Sequence, residues 1–195
     1  MAIGAEAVKQ LRDITGIGMM KCKEALEATQ GDIEKAVEHL RKQGLKTAEK
    51  RAGRETSEGV IASYIHSNSK IGVLVELRCE TDFVARNDGF RQLARDLCMQ
   101  VAATRPVAVS RDQVPADLVE KEREIYREQV KDKPPQAIEK IVQGKLDAFF
   151  KERCLLDQPF VKDPKTSVAD HIKSLVAKLG ENISVGRFVR FQMGE

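Results

Sequence analysis

The chain has 195 residues, of which 33 are basic and 30 acidic, and its formal net charge is only +3. This balance, with seven Phe, two Tyr and no Trp, disfavours a protein dedicated to binding nucleic acid through a basic surface and stacked bases. No secretion signal is visible at the N-terminus, no apolar run approaches the roughly 20 residues of a membrane span, and the four cysteines form no CxxC pair. We therefore expect a cytoplasmic protein with reduced thiols, without a bound metal ion and without a membrane.

Residues 1–54 are predicted to form a small helical domain that begins with two short helices. Apolar residues at helical spacing mark the first helix: Ala7, Val8, Leu11 and Ile14. The two glycines of Thr15–Gly18 then indicate a turn. A second helix, over about 19–29, is expected to face the interior with Cys22, Ala25 and Leu26.

A third helix follows, and Asp32 is suited to cap its N-terminus. The residues expected to point inward are Ile33, Ala36, Val37 and Leu40. Gly44 predicts the end of this helix, because glycine readily adopts the left-handed conformation found after helices. The basic, alanine-rich residues 46–54 are predicted to form an exposed helical linker.

After the linker, the apolar period changes to two, which indicates β-strands. Residues 58–67 and 70–78 are β-branched runs joined by Ser67-Asn68-Ser69, the pattern of a β-hairpin. A third strand, at 182–193, comes last in the chain. We therefore predict an α+β core over 55–195, built on a small three-stranded antiparallel sheet with flanking helices.

Four further helices are predicted between the hairpin and the last strand. One spans 89–104 and is expected to bury Phe90, Leu93, Leu97 and Val101. Two charged helices meet at Pro134-Pro135 and have narrow apolar stripes: Leu118, Val119, Ile125 and Tyr126 on one, Ile138, Ile141, Val142 and Phe149 on the other. We interpret 116–152 as an antiparallel helical hairpin with a coiled-coil-like seam. The last helix spans 168–179.

No catalytic constellation is visible in the sequence. The three histidines, His39, His66 and His171, lie on different elements, without a paired nucleophile or base nearby in the sequence. Neither a GxxxxGK[ST] loop nor a spaced GxGxxG occurs, so the chain itself is not expected to bind a nucleotide. We predict a protein that is not an enzyme and needs no cofactor.

Apolar side chains occupy unusual positions in two places. Met19 and Met20 open a helix directly after a glycine-rich turn, and at least one must be exposed because adjacent helical residues diverge by about 100°. They could cover the end of their own bundle or form an adaptable contact surface. Phe83 follows an apolar strand in a polar turn, where it is either a plug for its own core or a wedge for another protein. The residues alone leave both alternatives open.

Two motifs resemble the signatures of a known family. Residues 8–26 (VKQLRDITGIGMMKCKEAL) are similar to the N-terminal signature of the bacterial elongation factor Ts family, and residues 76–86 (ELRCETDFVAR) to its second signature. Residues 158–161 (QPFV) and Arg190-Phe191 also resemble the family. The resemblance spans nearly the whole chain.

The resemblance implies a ubiquitin-associated-like (UBA-like) helical bundle at the N-terminus, followed by a core that grips elongation factor Tu. It implies a guanine nucleotide exchange factor, which binds the GDP form of that partner, speeds GDP loss and yields to GTP. The segment of Thr81, Asp82, Phe83 and Val84 resembles the one that displaces magnesium from the partner. Phe83 would be the wedge between partner helices, and Asp82 would position it.

Other parts of the chain receive expectations from the same resemblance. Arg12, Met19 and Met20 are expected to touch the partner's nucleotide-binding domain. The helical hairpin, 116–152, resembles the family's coiled-coil motif. The alternative function is a non-catalytic adaptor that recognises a protein partner through its UBA-like bundle, without exchange activity.

One departure from the family concerns the sheet. Longer members duplicate the sheet-bearing subdomain, whereas this chain carries one copy. A sheet with helices on one face would leave Leu74 and Phe188 uncovered on the other, and such a patch favours self-association. We therefore expect a homodimer, in which two copies replace the second subdomain.

Overall fold

The computed structural model of the chain describes residues 3–195, which form eight α-helices, a three-stranded sheet and a two-stranded sheet. This mixed architecture confirms the predicted α+β class and its small antiparallel sheet. In chain order the helices are α1 (Ala5–Thr15), α2 (Met19–Ala28), α3 (Ile33–Arg51), α4 (Asp82–Ala85), α5 (Asp88–Thr104), α6 (Ala116–Gln129), α7 (Pro135–Arg153) and α8 (Val168–Leu179). The strands are β1 (Glu58–Ile65), β2 (Ile71–Cys79), β3 (Pro159–Phe160), β4 (Asp163–Ser167) and β5 (Ile183–Gln192).

The chain divides into two compact units, and neither is continuous in sequence. The first comprises Met1–Val60, Leu77–Arg91 and Asp170–Ser184, and the second comprises Ile61–Glu76, Gln92–Ala169 and Val185–Glu195. The first unit therefore brings the N-terminal helices together with the end of β2, with α4 and with most of α8. The predicted domain boundary between residues 54 and 55 is a division along the sequence, and it stays a prediction.

Helices α1 to α3 pack around one apolar cluster: Val8, Leu11, Cys22, Ala25, Leu26, Ala36 and Leu40. The predicted inward residues of the second helix are therefore confirmed. Ile14 was expected inside, but it is 58% exposed. The half-buried position one residue on belongs to Thr15, whose hydroxyl donates to the carbonyl of Leu11 (2.7 Å). The inward stripe of α1 thus continues from Leu11 to Thr15 at i+4 spacing.

The third helix starts as predicted but continues past Gly44. Its N-cap is Asp32, whose side chain accepts from the N–H of Lys35 at 3.0 Å. The predicted end at Gly44 is wrong, since α3 runs to Arg51 and includes most of the expected linker. Part of that linker is also buried, because Ala48 is only 5% exposed. The glycine serves close packing instead: a Cβ at Gly44 would lie 2.9 Å from the Cβ of Ala177 on α8.

Gly44→Ala is therefore expected to destabilise the protein by about 1–3 kcal/mol, because the added methyl group forces α3 and α8 apart. This cost acts against the gain of about 1 kcal/mol that alanine brings to a helix interior. Gly144→Ala on α7 is the matched control: apart from its chain neighbours and the backbone of its own helix, no atom of the described residues lies within 4 Å of the added Cβ. Urea unfolding should show stabilisation for Gly144→Ala only. Equal stabilisation by both substitutions would contradict the close approach.

The three-stranded sheet has the order β1-β2-β5, and its first two strands form the predicted hairpin. At the turn, the N–H of His66 donates to the carbonyl of Ile71 (2.9 Å), and Ser69 has a left-handed φ of 56°. Side chains of β2 alternate, as expected for a strand with one covered face: Val73, Val75, Leu77 and Cys79 are buried. The four predicted core residues of α5, Phe90, Leu93, Leu97 and Val101, are buried as well.

Helices α6 and α7 form the predicted helical hairpin. Val130, Val142 and Leu146 make its buried seam, with half-buried residues of both helices packed against them. Across the hairpin, Arg127 pairs with Glu139 at 2.9 Å. Ile125 was expected in the seam but is exposed. Whether this seam has coiled-coil packing stays a prediction.

The small sheet of β3 and β4 was not predicted. It lies at the QPFV motif and is held by buried amides of Gln100 and Gln158. Gln100 donates from Nε2 to Oε1 of Gln158 (3.0 Å) and to the carbonyl of Pro159 (3.1 Å), and its Oε1 accepts from the N–H of Val161 (2.8 Å). A strand of two residues is too short to show an apolar period, so its position depends on these tertiary bonds.

Within the described chain, no helix combines the length and the apolarity needed to cross a bilayer.

Candidate partner-binding site

The Thr81–Val84 segment forms a capped single-turn helix that presents Phe83 outward. Thr81 is extended (φ −130°, ψ 156°), and its Oγ1 accepts from the N–H of Val84 at 3.4 Å. Helix α4 follows, with Val84 and Ala85 buried. Phe83 is 81% exposed, the highest value among the exposed large apolar side chains of residues 3–195. Of the two alternatives for this ring, the plug of its own core is therefore excluded, and Val84 takes that place.

Asp82 forms an ion pair with Arg86 one turn further on, between Oδ2 and Nη2 at 2.8 Å. Both side chains are more than half exposed. An exposed pair of this kind contributes only about 0–1 kcal/mol, because water screens both charges. Asp82 can therefore exchange Arg86 for another partner at little cost in stability.

A carboxylate from a distant part of the chain supports Thr81. Glu181, two residues after the end of α8, accepts from the backbone N–H of Thr81 through Oε2 (3.0 Å) and from its hydroxyl through Oε1 (2.6 Å). Because the donors belong to one residue and the acceptors to one carboxylate, the pair fixes both the position and the rotation of Thr81. No sequence pattern indicates this contact, since the two residues are 100 positions apart.

A second carboxylate connects the same two segments in the opposite direction. Glu80, next to Thr81, accepts from the N–H of Asn182, next to Glu181, at 2.6 Å. That bond holds the pKa of the Glu80 carboxyl below its usual range, with a further contribution from Arg54. Because the folded pKa is lowered, the stability contributed by this carboxylate is present at neutral pH and is lost as the pH falls through the lowered value.

Further bonds connect this site to the end of α3. The amide of Asn182 donates to the carbonyl of Arg54 at 2.8 Å, and the Arg54 guanidinium lies 3.4 Å from Glu80. Beneath the segment, the thiol of Cys79 donates to the carbonyl of Thr81 at 3.1 Å. Burial raises the pKa of Cys79 to about 11, so it remains a protonated donor at neutral pH. Thr81 is thus held from several sides.

Met19 and Met20 form a second exposed apolar surface in the same unit. They are 54% and 69% exposed, so the expectation that at least one methionine is exposed is confirmed for both. With Ile17, Gly18 and Lys21 they line one side of an open groove of about 360 Å³, and Ala177 and Lys178 line the other. Arg12 is exposed on α1.

The end of α8 and the turn after it contact both parts of the site. Lys178 lies over the turn after α1, where its Nζ is 2.6 Å from the place of a Cβ on Gly16. Three residues further along, Glu181 holds Thr81. The sequence analysis singled out the two methionines and Phe83. It did not indicate that Lys178 and Glu181 contact these two regions, because neither residue belongs to a motif.

Exposed apolar side chains on capped turns, in a small α+β fold, are typical of the class of proteins that act by binding another macromolecule. A family model described as Elongation factor TS matches residues 3–195. Among curated relatives, elongation factor Ts of Thermodesulfovibrio yellowstonii is 59% identical over 100% of this chain and 98% of its own length. Those of Fervidobacterium nodosum and Thermotoga maritima are 57% and 55% identical over 100% of this chain and 100% and 98% of their own lengths. The chain belongs to the elongation factor Ts family, which confirms the resemblance of its two motifs.

Proposed function

We propose that this protein is a guanine nucleotide exchange factor that binds elongation factor Tu in its GDP form and accelerates release of GDP. The exposure of Phe83 on a braced, capped turn is the observation that carries the proposal. A ring of this size kept in water at 81% exposure has no role in the chain's own core. Its burial by a partner would contribute about 1.5–3 kcal/mol.

The proposed mechanism needs no catalytic group on this chain. A P-loop GTPase holds its nucleotide largely through Mg²⁺ and a phosphate cradle, whose geometry depends on the surrounding helices and loops. Insertion of Phe83 between partner helices would shift that cradle by a small distance, which packed interfaces amplify into a discrete change. Coupling is reciprocal, so a factor that loosens GDP is itself loosened when nucleotide returns. Nucleotide rebinding therefore releases the exchange factor, which can then bind another GDP-bound partner.

The residues around Phe83 have distinct proposed roles. Asp82, held only by an exposed ion pair, would leave Arg86 and orient the wedge against the partner. Thr81 and Val84 would fix the segment, one through its hydrogen bonds and the other through burial. Arg12, Met19 and Met20 would contact the partner's nucleotide-binding domain, for which two flexible thioether side chains are suited.

The direct test is release of a fluorescent GDP analogue from purified elongation factor Tu, with and without this protein. Faster release that saturates with its concentration is expected. The rival function, an adaptor that recognises a protein partner through its helical bundle, predicts binding without faster release. Binding measured in parallel, by a pull-down or calorimetry, separates the two functions.

We also propose that the protein forms a homodimer through the uncovered face of its sheet. Leu74 is exposed as expected, whereas Phe188 is half-buried. The second compact unit carries further exposed apolar side chains on β1, on β5 and just after β5: Ile61, Ile65, Val189, Phe191 and Met193. Glu76 and Arg187 form an ion pair beside them, at 2.8 Å. A patch that is apolar and carries both charges is suited to contact a copy of itself.

A further inference from the structure

We propose that Glu181 is a positioning residue for Phe83: its carboxylate sets the conformation of Thr81 and thereby the direction in which the ring points. This inference rests on the exchange function proposed above. It assigns to the turn after α8 a part in exchange that neither sequence motif indicates.

Helix α4 cannot hold Phe83 in place by its own bonds. It has four residues, a single turn, and one turn is too short to be stable in isolation. Its internal cap, from the N–H of Val84 to Thr81, is long at 3.4 Å. The two bonds from Thr81 to Glu181 are shorter, at 2.6 and 3.0 Å, and both have a charged acceptor. Glu181 therefore constrains Thr81 more strongly than the cap of α4 does.

Glu181 is itself placed by a rigid neighbourhood. Gly180 ends α8 in the left-handed conformation, with φ of 83°. On the other side, the N–H of Asn182 is bound by Glu80, so the segments 80–81 and 181–182 hold each other through two carboxylates. The close approach of α8 to Gly44 fixes the helix that carries this turn. Because the residues before and after Glu181 are fixed, its carboxylate can set the orientation of Thr81 and, through Thr81, that of Phe83.

The hydroxyl of Thr81 takes part both in the bond to Glu181 and in the cap of α4. It donates its hydrogen to Glu181 and accepts from the N–H of Val84, so its donor and one of its acceptor sites are in use. Without Glu181 the hydroxyl is free to rotate, and the N–H of Thr81 loses its acceptor. The start of α4 would then sample several directions, and the partner would have to select the competent one.

The experiment measures GDP release from elongation factor Tu at saturating concentration of this protein, with Glu181→Ala made in the wild-type chain and in Phe83→Ala. In the wild-type chain we expect release to be about tenfold slower, as for loss of hydrogen bonds to a charged group. In the Phe83→Ala chain the same change should cost about twofold or less, because it acts through a ring that is absent. Thr81→Ser, which keeps the hydroxyl, should retain most of the activity.

Matched variants separate positioning from a general loss of stability. Glu120→Ala removes an exposed carboxylate on α6 that pairs with Arg123, and it should leave release unchanged. Where Glu181→Ala lowers the folded fraction, Glu181→Gln keeps the side-chain volume and is read in the same two backgrounds. Amide hydrogen exchange of the free protein gives an additional readout, since the N–H groups of Thr81 and Val84 should exchange faster in the Glu181 variants.

Equal slowing by Glu181→Ala in both backgrounds would overturn the inference, because the carboxylate would then act independently of Phe83. Unchanged release in the wild-type background, with Phe83→Ala still slow, would overturn it as well. The proposed function fails in a different way, through absence of any acceleration by the wild-type chain. The two failures are therefore distinguishable in one set of measurements.

Discussion

Replacement of Phe83 by alanine is expected to slow stimulated GDP release by about 10- to 100-fold, which corresponds to about 1.4–2.8 kcal/mol of lost coupling. The ring is 81% exposed in the free protein, so its removal should change the free energy of unfolding by only about 0.5 kcal/mol or less. Affinity for the partner should fall less than the release rate, because the surface around Met19 and Met20 remains. A substitution that slows GDP release without changing the stability of the fold would indicate that the Phe83 ring acts on the partner.

Release is measured by the loss of fluorescence of a GDP analogue, over a range of protein concentrations that separates the maximal rate from the affinity. Ile125→Ala on α6 is the control, since this side chain is also apolar and exposed but lies in the other compact unit. Its release rate should equal that of the wild-type chain. An unchanged stimulated rate for Phe83→Ala would refute the wedge and would place the exchange activity on other contacts of the chain.

Much of the fold was predictable because local signals and tertiary packing agree. Asp32 caps α3 as its side chain suggests, and the period-two runs become β1, β2 and β5. The prediction failed at Gly44, where the local signal for a helix end is outweighed by packing against Ala177. Sequence spacing cannot show such an approach, because the partner residue lies far along the chain.

The candidate site was predictable to a smaller extent. The motif identified Phe83, and the positions of Met19 and Met20 after a turn required that at least one be exposed. The sequence did not decide between an outward and an inward ring, because that depends on which neighbour is buried, and Val84 is the buried one. The brace by Glu181 was missed entirely, since a glutamate next to a glycine resembles any solvated residue after a helix.

The second large effect is expected for a substitution on the exposed face of the three-stranded sheet, where Phe191 lies. Phe191→Asp is expected to raise the dissociation constant of the proposed homodimer by more than about 100-fold. A two-fold symmetric interface would contain the substitution twice, so two carboxylates would lose water without gaining a partner. The ring is 67% exposed in the single chain, and the substitution should therefore leave folding intact.

The mass in solution, from light scattering or sedimentation at micromolar concentration, checks this expectation. Phe83→Asp makes the same chemical change at another exposed ring and should leave the dimer intact. A monomeric mass for the wild-type chain would contradict the homodimer directly. The Phe191→Asp monomer retains the complete Thr81–Val84 segment, so the GDP release it still stimulates measures what one copy achieves alone. If a second copy contributes to exchange, that rate must fall although the Thr81–Val84 segment is unaltered.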